Sequence, residues 1–253
     1  ELLLFRFAAG RLSNFVGIDR ILPGSVIRTG LNRQHYSERR YNDILDTLDA
    51  PRTTLDKNIL AESTNAILQK SVKDHTASDV GYAVQLSGGI DSSLIAHIVK
   101  SINPGDVHSF GLYLGANRHD ERPYREFVVA NTGLIHHEIP VTGNLFADAF
   151  PRAVHHMEGP SPHLGCILLM VLCDSVRTMT KVILTGEGAD EIFGGYSRYS
   201  IWRDLVRYRA FARLVPTVMW PLLKRYRSIQ IYAKHDPAVY ASVYTDYLDL
   251  MNM

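Results

Sequence analysis

Between residues 82 and 186 the chain alternates short apolar runs with longer segments of helical period. The runs "YAVQL" (82–86), "VHSFGLYL" (107–114), "IHHEIPV" (135–141) and "KVILTG" (181–186) have the length of strands and predict four of them. Segments 91–101, 121–133 (ending at Gly133), 143–157 and 164–180 read as the intervening helices, the last of them long and buried. Strand and helix in alternation predict the α/β class, a parallel sheet flanked by helices on both faces. Upstream, residues 1–48 scatter Gly and Pro among short extended runs such as 25–28, a pattern of strands and turns. A helix is predicted from Leu55, its apolar positions being Leu55, Ile59, Leu60, Ala66, Ile67 and Leu68, with Pro51, Thr53 and Thr54 as link and cap. Beyond Tyr196 the pattern is helical only, broken at Pro216, Pro221 and Pro237.

Composition changes this picture little. The chain has 253 residues, 46% hydrophobic and 21% charged, with a formal net charge of +1, so no global field calls for nucleic acid or an anionic membrane. Residues 198–227 depart from that balance, with eight Lys or Arg against the single acid Asp204. Such a stretch reads as a solvated helix face, or as a surface near phosphates or a partner segment. The two cysteines, Cys166 and Cys173, sit seven apart on a predicted helix, about 10 Å of rise and too far for a disulfide. Both are expected in the core, and the absence of a disulfide framework points to a reducing compartment. The most apolar stretch, "LGCILLMVLC", has too few residues to span a bilayer as a helix, so the expected location is cytoplasmic.

Two loops carry unusual chemistry. "SGGIDSS" follows the first predicted strand of the alternating region and "TGEGADEIFGGY" (185–196) follows the fourth. In an open parallel sheet both fall at the strands' carboxyl ends, where ligands bind. Gly88 and Gly89 let backbone approach a ligand closely, the following helix offers unpaired N–H groups, and Ser87, Ser92 and Ser93 add hydroxyls. A tight turn with a helix cap would use the same residues. Asp91 repels a bare phosphate, so its presence makes sense with Mg²⁺ between them, and Glu187, Asp190 or Glu191 could complete such a site. No G-K-[ST] follows the glycines and G-x-G-x-x-G is absent, which excludes the P-loop and dinucleotide patterns.

"SGGIDSS" resembles the pyrophosphate-binding loop of the ATP-pyrophosphatase superfamily. Together with "TGEGADEIFGGY" it is similar to the synthetase domain of glutamine-dependent asparagine synthetases. "FVGIDRILPGS", "VHSFGLYL" and "IHHEIPV" match that family in order. The resemblance implies an adenine nucleotide α-hydrolase-like fold and an ATP-dependent ligase: a carboxylate, aspartate first, is adenylated, pyrophosphate leaves, and ammonia forms the amide. It implies that Ser87, Gly88, Gly89, Ser92 and Ser93 cradle pyrophosphate and that Asp91 and Asp190 hold Mg²⁺. Leu86, Leu112, Thr185 and Gly186 then line the adenosine pocket largely through backbone atoms, and Glu187 faces the reacting centre. Residues 1–50 are expected to be the end of an N-terminal glutaminase domain plus linker, and 51–253 the synthetase domain, cut short at its C-terminal end. A separate glutaminase domain or subunit is the expected partner, and a homodimer a further expectation.

The sequence departs from the family in three respects. Residue 1 is Glu where the glutaminase has a nucleophilic Cys, and no counterpart of the family's later G-x-E-x-R-x-P-F-L-D-like segment precedes Met253. The acceptor stretch "MEGPSPHLGCILLM" (157–170) has no Arg, leaving His163 as its one basic side chain. Acceptors leading to β-lactams, lasso peptides or amidated sugars therefore stand beside aspartate, as does a non-catalytic nucleotide-binding remnant. An RNA-modifying relative is disfavoured by the near-neutral charge. The pairs His136–His137 and His155–His156 point apart on a strand and sit about 100° apart on a helix, so neither suits one metal ion. Asp120 and Glu121 precede a helix and read as dipole-complementing acids, with an indirect role near the nucleotide as the alternative, and Tyr240, Tyr244 and Tyr247 have helix-like spacing.

Overall fold

The computed structural model describes residues 10–30, 36–42, 56–115, 120–159, 163–196 and Tyr199. The chain divides into two compact units, one spanning Phe7–Gly186 and the other made of Glu1–Arg6 with Glu187–Met253. The basic stretch 198–227, the proline breaks, the tail tyrosines and the Pro51/Thr53/Thr54 link lie outside the described residues.

In the first unit the four apolar runs form strands β3 (Tyr82–Gln85), β4 (His108–Tyr113), β5 (Ile135–Pro140) and β6 (Val182–Leu184). They pair in parallel in the order β5-β4-β3-β6. Successive residues Ala83 and Val84 are both fully buried although they point to opposite faces, because helices cover both sides. One face packs Val84 and Leu86 against α1 (Lys57–His75), α2 (Ile90–Ile102) and α3 (Arg122–Thr132) through Val72, Ala96, Val99 and Val128. The other packs Ala83 and Phe110 against Leu172 and Val176 of α5 (Gly165–Val176). Beside them Ala149 and Ala153 of α4 (Gly143–His156) meet Ile167 and Val171. An antiparallel hairpin, β1 (Ser25–Thr29) with β2 (Tyr36–Arg40), precedes the sheet and agrees with the extended run expected at 25–28.

The helix ends show which local signals held. Gly133 takes φ 67°, and its N–H donates to Val129 O at 2.8 Å, so α3 stops where expected. Thr142 caps α4 by accepting from Leu145 N–H at 3.2 Å. For α1 the described cap is Asp56, which accepts from Asn58 N–H at 2.8 Å, so the helix starts after the predicted threonines. Its expected apolar face is corrected in part: Leu68 packs on the core beside buried Val72, whereas Ile59, Leu60 and Ile67 are exposed. The helix expected over 164–180 ends at Val176, because Thr180 leaves the helix to hydrogen-bond Gly81 O at the sheet's edge.

Cys173 corrects another expectation. It is exposed, and Cys166 is half-buried. Helical period places Ile167, Val171, Leu172 and Val176 of α5 against the sheet, which turns Cys173 outward. Both thiols are free. Among the described residues no helix is long and apolar enough to cross a membrane.

Candidate active site

Strands β3, β4 and β5 run outward in one direction from β3, and β6 pairs on its other side. The strand order therefore reverses between β3 and β6, the position where open α/β sheets open a crevice beyond their carboxyl ends. The loop after β3 and the residues Thr185 and Gly186 after β6 leave the sheet there, side by side. Gly186 packs so closely on the start of α2 that an added Cβ would lie 2.9 Å from Ser92 N and 3.0 Å from both the carbonyl carbon and Cβ of Asp91. Leu86 is fully buried, and its N–H continues the sheet to Phe110 O at 2.8 Å. Leu112 lies toward the end of the neighbouring strand β4, its side chain packed against the α4/α5 side.

The loop is held by its own hydroxyls. Ser87 N–H donates to Ser92 Oγ at 3.2 Å, the two Oγ atoms share a hydrogen bond at 2.9 Å, and Gly89 N–H donates to Ser87 Oγ at 3.1 Å. Ser92 and Ser93 hydroxyls donate to Gly89 O at 3.2 and 2.7 Å. These serines shape the turn by bonding one another and Gly89 O, so the structural use of the motif holds alongside any ligand role. Gly88 takes φ 104°, a region side chains avoid, and an added Cβ would lie 2.7 Å from Glu121 O. Gly89 caps α2 without a side-chain hydrogen bond, so the N–H groups of the helix's first turn stay available at its positive end. Asp91 lies half-buried in that turn, with no hydrogen bond or ion pair among the described residues. An uncapped helix start, a positive-φ glycine and an unclaimed carboxylate fit a phosphate chain with a hard cation. Among the described residues no cluster of three or more His, Cys, Asp or Glu could hold a metal by itself, so such an ion would need phosphate oxygens and water.

From Glu187 onward the second motif belongs to the other unit. Gly188, at φ 92°, starts the short helix α6 (Ala189–Phe193), and Gly194, at φ 69°, ends it. Gly195 N–H donates to Asp190 O at 3.0 Å, and an added Cβ on Gly195 would collide with the Asp190 carboxylate. Tyr196 OH donates to Glu191 Oε1 at 2.7 Å. The three glycines thus fold the chain around Asp190, and Glu187 is exposed at the start of the unit.

Sequence reasoning missed the support beneath the first loop. Arg125, in the first turn of α3, is 4% exposed; its Nη1 donates to Ser87 O at 2.8 Å and its Nη2 to Glu138 Oε1 at 2.5 Å. Glu138 Oε2 lies 3.2 Å from His136 Nε2, whose Nδ1 lies 3.0 Å from Ser109 Oγ. The available signal was an Arg sharing the helical stripe of Val128 and Thr132, together with a Gly inside the β4 run. His136 joins this network, while His137 turns to the other face, 2.9 Å from His108 and stacked on Phe110. Asp120 is paired with Arg122 at 2.6 Å and accepts the Arg122 N–H at 3.1 Å, and this pairing holds its carboxyl below the usual range. Glu121 sits at the helix cap but makes no side-chain capping bond.

These features define an α/β domain, a parallel four-stranded sheet flanked by helices, with a glycine- and serine-rich turn at its switch point. The asparagine synthase family model matches residues 63–247. The chain is 34% identical over 157 residues to asparagine synthetase B (glutamine-hydrolyzing) of Escherichia coli, covering 56% of this chain and 27% of that protein. It is 29% identical over 164 residues to asparagine synthetase (glutamine-hydrolyzing) 1 of Bacillus subtilis, covering 65% and 25%. It is 26% identical over 225 residues to amidase chyE of Penicillium rubens, covering 83% and 32%. A solved NH3-dependent NAD synthetase from Campylobacter jejuni is 18% identical with a TM-score of 0.39, over 76% of this chain and 93% of that one. The chain belongs to the asparagine synthase family. It spans about a quarter to a third of the length of these curated relatives.

Proposed function

We propose that this chain carries an ATP-dependent, amide-forming ligase site that activates a carboxylate, with aspartate as first candidate. The observation that carries the reading is the packing of Gly186 onto Asp91 and Ser92, which sets the residues that follow β6 against the first loop at the β3/β6 switch point. A carboxylate oxygen of the acceptor attacks the α-phosphorus of ATP, and the bond to the β-phosphate oxygen breaks, releasing pyrophosphate. Ammonia then attacks the acyl carbon, AMP leaves with the bond's electron pair, and the surplus proton passes to solvent.

In this reading the N–H groups of Gly88 and the first turn of α2, with Ser87, Gly89, Ser92 and Ser93, receive the charge that develops on pyrophosphate. Backbone at Leu86, Leu112, Thr185 and Gly186 holds the adenosine. Asp91 and Asp190 are the carboxylates assigned to Mg²⁺, which when bound neutralises phosphate charge. Glu187 is assigned to the reacting centre. Ammonia comes from a glutaminase domain or subunit of which residues 1–50 form the final part, and 51–253 belong to the synthetase domain. A cytoplasmic setting accords with the two free thiols.

The likeness to an amidase over 83% of the chain supports a second reading, the same activation chemistry on another acceptor. Calorimetric titration of Mg-ATP into the chain, with Asp91→Ala and a metal-free control, tests the site. Metal-dependent binding lost in the variant is expected, and absence of binding by the folded wild-type chain refutes the assignment. Pyrophosphate release with aspartate and ammonia, against release with other carboxylates, then separates the two acceptor readings.

A further inference from the structure

The Ser87–Gly88 peptide is the pivot of the first loop. A planar trans peptide points its C=O and N–H in opposite directions, so whatever fixes the carbonyl also aims the amide. The following glycine, at φ 104°, imposes little steric barrier of its own against rotation of that peptide. Arg125 supplies the constraint. Its Nη1 holds Ser87 O at 2.8 Å, and that leaves Gly88 N–H directed away from the guanidinium, with no partner among the described residues.

The guanidinium is itself held between two acceptors, Ser87 O and the Glu138 carboxylate. Glu138 takes Nη2 at 2.5 Å and is steadied in turn by His136. Gly111 leaves it room, since an added Cβ there would lie 2.8 Å from Arg125 Nε and 3.0 Å from Leu86 O. The side chain is 5% exposed, so it contacts no solvent-borne ligand directly. A planar fork that bonds two acceptors at once is a task a lysine ammonium cannot reproduce. We propose that Arg125 is a positioning residue that locks the Ser87–Gly88 peptide with its N–H outward and thereby sets the loop's affinity for a pyrophosphate group; this rests on the reading of the site as an ATP site.

The test uses the full chain with Arg125→Met and Arg125→Lys, and two probes, Mg-pyrophosphate and AMP, by calorimetry. Arg125→Met is expected to weaken Mg-pyrophosphate about tenfold or more while AMP affinity stays within about twofold, the scale of losing one charge-assisted hydrogen bond. Arg125→Lys keeps the charge without the fork and is expected to recover only part of that loss; should Arg125→Met fail to fold, this variant decides. The Gly88 amide in ¹⁵N-resolved spectra, a single resonance in the wild type, is expected to broaden or double in either variant. Equal loss of both probes assigns Arg125 a merely structural role and overturns the proposal. Full rescue by lysine, or an unchanged Gly88 amide, overturns it as well. If the folded wild-type chain binds neither probe, the ATP-site reading fails, and the Gly88 amide still decides whether Arg125 holds the peptide.

Discussion

Gly186→Ala adds one methyl group where β6 meets the first turn of α2. Its carbon would lie 2.9 Å from Ser92 N and 3.0 Å from two atoms of Asp91. Ordinary contact between such atoms is about 3.5–4.0 Å, so the two segments must part by roughly 0.5–1 Å. Two of the three crowded atoms are backbone, and the third is a Cβ fixed to it, so no flexible side-chain end can swing aside. Overpacking of this kind costs about 1–3 kcal/mol. With a urea dependence of about 2 kcal/mol/M, a 2 kcal/mol loss lowers the unfolding midpoint by about 1 M. Gly165→Ala is the control: it opens α5, nothing lies within 4 Å of its added Cβ, and the substitution is expected to be neutral or mildly stabilising. The same Gly186 variant displaces Asp91 and is expected to weaken Mg-ATP binding. Midpoints for Gly186→Ala and wild type agreeing within about 0.2 M would refute the close packing on which the site reading depends.

Leu172→Ala, at a fully buried position, is expected to cost about 2–5 kcal/mol, whereas Cys173→Ala next to it changes stability by no more than about 0.5 kcal/mol. Thiol labelling of the native chain should modify exposed Cys173 ahead of half-buried Cys166, and the reverse order would contradict the orientation of α5. Burial, with His108 and His136 alongside, holds the His137 imidazole below its ordinary value of 6.5. The unfolded chain therefore takes up that proton first, so stability is full above pH 6.5 and falls as pH drops toward the folded-state value. His137→Phe should flatten this slope in urea titrations run on either side of that pH; an unaltered slope would assign the effect to other groups.

The strands and their bounding helices were legible because a sheet covered on both faces needs short continuous apolar runs, and "YAVQL" and "KVILTG" are such runs. Gly133 was legible as a stop because a left-handed residue there demands glycine. The burial of α1 was not legible. Apolar residues at Ile59, Leu60 and Ile67 give a helical stripe, yet within the described residues only the end near Val72 packs against the sheet. Cys166 and Cys173 misled for a related reason: an apolar run fixes that a helix is buried on one side but not which side. Arg125 was not legible as a support, because nothing local shows that α3 will deliver it beneath a loop 38 residues earlier.

The sequence alone determined the element order, the parallel α/β class and the two motif loops, since periodicity and glycine placement are local properties of the chain. It also carried the family resemblance. Only the tertiary structure decided that β6 crosses to the far side of β3, which brings Gly186 against Asp91 and Ser92. Only it showed that the loop's serines bond one another and that a buried guanidinium holds Ser87 O. Those outcomes depend on strand order and on contacts between distant segments. No window of neighbouring residues encodes them, because the free energy that selects them comes from surfaces that meet only once the sheet is built.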